Sequence, residues 1–369
     1  MEPIIASQLR VVKAATKGFF SDVHIREQDK MWVRTTLGLE VHESPVVTRH
    51  EIIEFLNWTN PGRSVESEMA AKGGELNFSL EFDGDIYRCN LSHFGGTQWY
   101  AMVLRKLDQE IRSLPLLGLP ESLLKWLEPE SGLVLIVGPT GSGKTSTLAS
   151  MVDQLNRTRP IHILTLEDPI EFRFQPKRAT ITQREIGKDA ATFAVAARNA
   201  LRQDPDVVVV GEIRDLDSAR ETLRLSETGH LVLASLHADS AVGAIDRIAK
   251  LVEGADEQKL LMHTLGTQLI GVLYQRLIVT KRTSEVDLPL RAPLYEVLTN
   301  IPAVASLIRD NRVLEIPGAV EMAGANQNQI TMEQVLERML KGNVIDSSTA
   351  EAARRARERT EGSVAREMA

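Results

Sequence analysis

Five consecutive apolar residues, Leu133–Val137, run straight into Gly138. A run without alternation predicts a strand buried on both faces of a parallel sheet. Comparable runs follow at Ile161–Leu166, Val207–Val210 and Leu231–Leu236, and helix-compatible stretches lie between them at Ala190–Arg202 and Ser218–Glu227. This alternation predicts a parallel sheet with helices on both faces. Upstream of residue 105 the pattern changes. Ser21–Ile25, Met31–Thr35, Asn77–Phe82, Ile86–Ser92 and Trp99–Leu104 read as short strands, and Asp83-Gly84 as a hairpin turn. Residues 2–18 are helix-compatible, with Ile5, Leu9, Val12 and Ala15 at helical spacing, and His50–Trp58 is amphipathic up to the stop at Asn60-Pro61-Gly62. Leu260, Leu261, Leu265, Leu269, Val272 and Leu273 predict one long helix from Asp256 to Leu277. Residues 281–292 are polar and read as irregular. From Val297 onward the pattern is helical, at Ala303–Arg309, Thr331–Lys341 and Ser347–Arg359.

The expected organisation is a small N-terminal α+β domain over 1–112, a linker over 113–120 marked by Pro115, Gly118 and Pro120, and an α/β core over 121–295. A helical region over 296–350 follows. The segment 351–369 mixes Arg and Glu densely and reads as a solvated helix fraying into a mobile tail. With 43% hydrophobic and 25% charged residues, the composition is that of an ordinary globular protein. A net charge of -7 argues against direct nucleic-acid binding, which normally needs a basic face. Cys89 is the single cysteine, so neither an internal disulfide nor a Cys-based zinc site is available. That fits a reducing cytoplasm. No signal peptide and no apolar run of membrane-spanning length is read, so membrane association is expected only through a partner.

The chemistry begins at Gly138. Gly138-Pro139-Thr140-Gly141-Ser142-Gly143-Lys144-Thr145 fits G-x-x-x-x-G-K-[ST] in full, between a predicted strand and a predicted helix that continues through Ser146. Backbone N–H groups of such a loop point at phosphate oxygens, and the following helix adds its positive end. Lys144 would reach the β- and γ-phosphates, and the Thr145 hydroxyl would ligate Mg²⁺. ATP and Mg²⁺ are therefore the expected ligands. Glu167, Asp168 and Glu171 cluster at the end of a predicted strand, where they could hold Mg²⁺ through water or orient the attacking water. Glu212, one residue beyond the Val207–Val210 run and Gly211, is the preferred candidate to polarise water and to serve the metal shell. His230 and His237 bracket a buried strand. His237, in the crevice-facing position, could sense the γ-phosphate, and His230 is a weaker candidate for the same pocket.

Gly138–Thr145, Ile163–Phe172, Val209–Asp215 and Thr228–His237 resemble, in order and spacing, the Walker A, Asp, Walker B and His boxes of the secretion and type IV pilus motor ATPases. The likeness is greatest to the pilus retraction (PilT-like) branch, which Gln183-Arg184-Glu185 and Leu201–Asp206 also resemble. The resemblance implies a homohexamer of subunits with a PAS-like N-terminal domain and a RecA-like P-loop core, and ATP in the cleft between them. It further implies a cytoplasmic ATPase held at the inner membrane by a platform protein, powering pilus retraction or a related conjugative or secretion machine. Residue by residue, it implies catalytic roles for Glu171 and Glu212, with metal contacts, and a γ-phosphate contact for His237. N-domain arginines over the phosphates correspond to Arg88 and Arg105, while Ile86 stands where relatives often carry another Arg. Local ion pairs with Glu81 or Asp85 are the plainer role for those arginines. The retraction branch has a segment of the type AIRNLIRE. Here it reads Ala303-Val304-Ala305-Ser306-Leu307-Ile308-Arg309-Asp310, with the Arg-Asn pair replaced. A non-hydrolysing regulatory subunit and a DNA-handling enzyme are the alternatives. The intact Lys144, Glu171, Glu212 and His237 argue against the first, and the acidic balance disfavours the second.

Overall fold

A computed structural model describes residues 2–62, 64–96, 98–107, 110–283, 289–323 and 328–367, with side chains from 358 onward outside the described set. The chain divides into two compact units. One comprises Met1–Glu110 with Lys281–Leu290, the other Ile111–Thr280 with Arg291–Ala369.

The first unit is a six-stranded antiparallel sheet. Its strands are β1 (Asp22–Arg26), β2 (Trp32–Thr35), β3 (Gly38–Val41), β4 (Glu75–Phe82), β5 (Asp85–Phe94) and β6 (Trp99–Leu107), in the order β3-β2-β1-β6-β5-β4. Asp83 and Gly84 make the β4–β5 turn with φ of 53° and 76°, the double positive φ that matches strand twist in a tight hairpin. Helix α1 (Ile4–Ala15) buries Ile5, Leu9 and Val12, and α2 (Arg49–Thr59) buries Ile52, Phe55 and Leu56. A capping box between Thr48 and Glu51 starts α2. Strand β3 and helix α3 (Val65–Ala71) escape the sequence pattern, because each is too short to establish a period.

The second unit is built on a seven-stranded sheet. Its strands are β7 (Gly132–Val137), β8 (His162–Glu167), β9 (Thr180–Glu185), β10 (Val207–Ile213), β11 (Leu231–Leu236), β12 (Leu269–Thr283) and β13 (Pro289–Thr299), in the order β13-β12-β7-β11-β10-β8-β9. Every residue of β7 and β11 is buried, which is why neither alternates. Strands β12, β7, β11, β10, β8 and β9 are mutually parallel. Their C-terminal ends therefore lie along one edge. The helices are α4 (Lys144–Thr158), α5 (Phe193–Ala200), α6 (Leu216–Glu227), α7 (Ala241–Lys250), α8 (Ala255–Gln268), α9 (Pro302–Arg309), α10 (Ile316–Ala323), α11 (Met332–Lys341) and α12 (Ser347–Glu367).

The structure corrects four expectations. The long helix over 256–277 ends at Gln268, and β12 pairs parallel with β7 from Leu269↔Leu133 to Tyr274↔Val137. Its apolar residues satisfy both periods, and the edge of β7 decides between them. At Gly271 a Cβ would lie 2.4 Å from Trp126 and 2.9 Å from the Leu298 carbonyl, so this strand needs glycine for its close approach. Within 281–292, Lys281–Thr283 finishes β12 and Pro289 opens β13, so both ends are strand, while 284–288 lie outside the described residues. Val297–Thr299 belongs to β13 rather than to a helix, and Val297 bridges Ile330. Finally, the start of the charged 351–369 segment is docked. Ala350 and Ala353 are buried, Arg354 pairs with Glu333 of α11, and Arg357 pairs with Glu296 of β13 at 2.9 Å. Small apolar residues spaced along one helix face, not the charges, determine its seat. Residues 368–369 lie outside the described set.

Candidate nucleotide site

Beyond the buried end of β7 the chain turns at Gly138, whose φ is 150°. A Cβ there would lie 2.1 Å from the Gln275 carbonyl, so only glycine fits. Pro139, Thr140 and Gly141 form the exposed crest, Ser142 is buried, Gly143 and Thr145 are partly buried, and Ser146 follows in the first turn of α4. Lys144 is 9% exposed, and its ammonium donates to the carbonyls of Gly138 at 2.9 Å and Pro139 at 3.1 Å. Burial pushes its pKa down, and the fields of Glu212 and Glu171 oppose that shift. Both carboxylates therefore lie within electrostatic reach of the loop lysine.

Gln275 was not picked out by sequence reasoning. From β12 it accepts from the Thr147 hydroxyl at 2.8 Å and donates to the Ser142 carbonyl at 2.7 Å. It clamps the loop to the first turn of α4. Its signal is a lone amide after an apolar run, hidden because that run satisfies the helical period as well as the strand.

Strand β10 does not stop at Val210. It passes through Gly211 and Glu212 to Ile213, with a register shift against β11 between Val210 and Ile213. The shift, not a strand end, displaces Glu212, as bulges beside sites commonly do. The Glu212 carboxylate lies 3.1 Å from His237 Nε2 and accepts from Arg214 Nε at 2.9 Å. Arg214 also reaches Asp168 at 2.8 Å, closing a chain from the end of β8 to the residue after β11. The bond that Arg214 donates to Glu212 is the main cause of its raised pKa. Arg214 is a second residue missed, because it follows the end of β10 and only the folded chain brings it to Glu212 and Asp168. The His237 pKa is lowered, first by burial and then by Lys144, with Glu212 opposing. The lowering favours the neutral imidazole, which can hold one N–H toward Glu212.

Glu167, Asp168 and Glu171 separate in role. Glu167 accepts from the Thr165 hydroxyl at 2.7 Å and from Gln183 of β9 at 3.2 Å. Burial raises its pKa, and those two bonds oppose the rise. Gln183 also donates to the Phe172 carbonyl at 2.8 Å and accepts from the Phe174 amide at 3.1 Å. Glu167 thus braces the turn that carries Glu171 rather than addressing the phosphate loop. Asp168 faces Arg214, and Glu171 is the member of the trio whose field reaches Lys144.

His230 is not brought to the loop. It precedes β11 at the opposite end of the sheet, where its carbonyl accepts from Gly132, the first residue of β7, at 3.1 Å. Six strand residues separate it from His237, roughly 20 Å. Its Nδ1 contacts the Leu225 carbonyl at 3.0 Å and the Thr228 hydroxyl at 3.1 Å, the satisfied histidine of a helix–strand junction.

In the first unit, Arg88 and Arg105 stand opposite each other on β5 and β6. Arg105 donates to Asp22 at 2.8 Å, and Asp22 is buried. The partner is therefore neither Glu81 nor Asp85. Asp85 is held by Lys13 at 2.9 Å and Lys106 at 3.3 Å. Among the described residues Arg88 makes no ion pair. Two like charges face to face are unfavourable unless an anion joins them, and Asp22 serves one of the two.

For Mg²⁺ the donors present are hard oxygens: the Thr145 hydroxyl and the carboxylates of Glu212 and Glu171. Among the described residues no three acidic, His or Cys side chains form a metal cage. This fits an ion that is held through one or two protein oxygens and the substrate phosphates. The buried Ser142 Oγ has no partner among the described residues, a polar atom available at the loop.

Residues 1–360 match the family model described as type II/IV secretion system protein. The chain belongs to that family. It is 38% identical over 287 residues to a twitching motility protein of Neisseria gonorrhoeae, covering 78% of this chain and 74% of the relative. It is 36% identical over 276 residues to the type IV pilus retraction ATPase PilT of Pseudomonas aeruginosa, covering 75% and 78%. Among solved structures, the pilus retraction motor PilT with bound ADP superposes with a TM-score of 0.79 at 34% identity, covering 94% of this chain and 96% of that one. This α/β fold with its mixed sheet is thus that of a nucleotide-binding motor of the family.

Proposed function

We propose that this chain is an ATP-hydrolysing motor that works as a homohexameric ring and powers retraction of a type IV pilus or the stroke of a related secretion machine. The observation that carries the reading is the meeting of Lys144 in its phosphate loop with the Glu212–His237 pair on the neighbouring strand ends. Lys144 and the loop amides bind the phosphates. Glu212 orients and polarises the attacking water, neutral His237 reads the γ-phosphate, and Glu171 joins Thr145 and Glu212 in serving Mg²⁺. In this reading the first unit is the PAS-like domain, the second is RecA-like, and the ring sits at the cytoplasmic face of the inner membrane on a platform protein. A conjugative or secretion apparatus is the second reading, favoured by Ala305 and Ser306 on α9, where the retraction branch carries Arg-Asn. The test is phosphate release from the purified chain with Mg²⁺ and ATP, alongside light scattering with a non-hydrolysable analogue. Steady release and a particle of about six subunits are expected, because closure of one cleft needs neighbours to become work. A monomer without turnover sinks the reading.

Arg88 and Arg105 are proposed to stabilise charge on the transferring phosphoryl group, with Asp22 holding Arg105 in place. Arg88→Ala and Arg105→Ala should each lower turnover by about tenfold or more, with folding and assembly retained. Lys substitutions should also impair, since they lose the planar fork. Parental rates in both Ala variants would restrict Arg105 to its local pair and remove Arg88 from the site.

A further inference from the structure

A cavity of about 490 Å³ opens beside the crest of the phosphate loop, and no role above involves it. Its walls are Pro139–Ser142, Tyr274 and Arg276 of β12, Glu296 of β13, and Ala356 and Arg357 of α12, with others. The sheet order gives it a meaning. On one side of β7 lie β11, β10 and β8, whose ends carry His237, Glu212 and the Glu167–Glu171 turn. The cavity lies on the other side, over β12 and β13. A nucleotide threaded across the loop with its terminal phosphate toward Glu212 must extend its nucleoside the opposite way, toward the cavity. The volume suits a bound small molecule.

Charge and shape agree. Arg276, Asp239, Glu296 and Arg357 all line the cavity together with Tyr274, two cations and two carboxylates in one wall. Glu296 receives Arg357 at 2.9 Å and accepts from the Ala241 amide at 3.3 Å. The helix bearing Arg357 is seated by buried Ala350 and Ala353.

We infer that helix α12 closes the nucleoside end of the nucleotide site and that Arg357 is the residue through which it touches the base or ribose. A guanidinium plane stacks on a purine face, and a neighbouring carboxylate accepts from a ribose hydroxyl. The inference rests on the ATP reading and deepens it: the C-terminal segment, not only the loop, selects a nucleoside polyphosphate over a bare one.

Comparing ADP with inorganic tripolyphosphate isolates the effect, because the latter engages only the phosphate loop. Arg357→Ala should weaken ADP binding by about tenfold and leave tripolyphosphate binding unchanged. The control Arg354→Ala, whose exposed pair lies outside the cavity, should stay within about twofold for both ligands. Independently, Ala356→Cys places a thiol on the cavity wall, while native Cys89 is fully buried. ADP should slow its alkylation by about tenfold or more, and tripolyphosphate should not. ADP affinity unchanged in Arg357→Ala, or equal loss of both ligands, overturns the inference, as does alkylation indifferent to ADP. Tripolyphosphate binding to the parent, lost in Lys144→Ala, reports on the phosphate loop separately, so failure of the ATP reading is seen on a different ligand.

Discussion

Lys144→Ala should abolish tight ATP binding while the chain still folds. The ammonium is buried at the mouth of the loop, where it already donates to the Gly138 and Pro139 carbonyls. Its lowered pKa reflects the cost of that burial, offset by Glu212 and Glu171. Removing it takes the ammonium's charge from between two carboxylates and the incoming phosphates. A unit charge pair at about 4 Å is worth roughly 4 kcal/mol at an effective dielectric constant of about 20. The loss in affinity should therefore approach a thousandfold. The fold should persist, because β7 and the core of α4 do not depend on the ammonium. Equilibrium binding of a fluorescent ATP analogue, with a thermal melt, measures both. Parental affinity in the variant refutes the phosphate-loop reading.

Glu212→Gln should separate binding from chemistry. The amide keeps the size of the side chain and can still meet His237 and Arg214, but it has neither charge nor basicity. Turnover should fall by roughly a hundredfold or more with ATP retained, since Lys144 keeps its loop contacts and the field of Glu171. Single-turnover phosphate release against nucleotide binding distinguishes the two effects. Comparable turnover in variant and parent would move the base to Glu171, whose field also reaches Lys144.

Much of the site was legible because its signals are local. A phosphate loop needs glycines, a lysine and a hydroxyl at fixed spacing within eight residues, preceded by a buried run. Strand-end residues such as Glu212 and His237 are found once the parallel sheet is recognised, since such a sheet gathers its C-terminal ends along one edge. His230 misled because it borders the same strand at the other end, and adjacency in sequence does not tell the two ends apart until strand direction is applied. Glu167 misled because three acids in five residues look alike, and only the hydrogen bonds from Thr165 and Gln183 assign one of them to bracing.

The sequence by itself determined the buried strands β7, β8, β10 and β11, the loop they present and the nucleotide chemistry, because each depends on residues close together in the chain. The tertiary structure alone decided the rest. Leu269–Tyr274 became a strand because β7 offered an unpaired edge, a partner more than 130 residues away. The same pairing delivered Gln275 to the phosphate loop. The charged tail became a docked helix because the core of this unit buries Ala350 and Ala353, and β13 and α11 then meet its charges with Glu296 and Glu333. Arg105 found Asp22 across a sheet whose pairing spans 83 residues. Propensity and period are local quantities, whereas an edge to pair with or a carboxylate to meet is supplied by distant chain, and only folding brings it near.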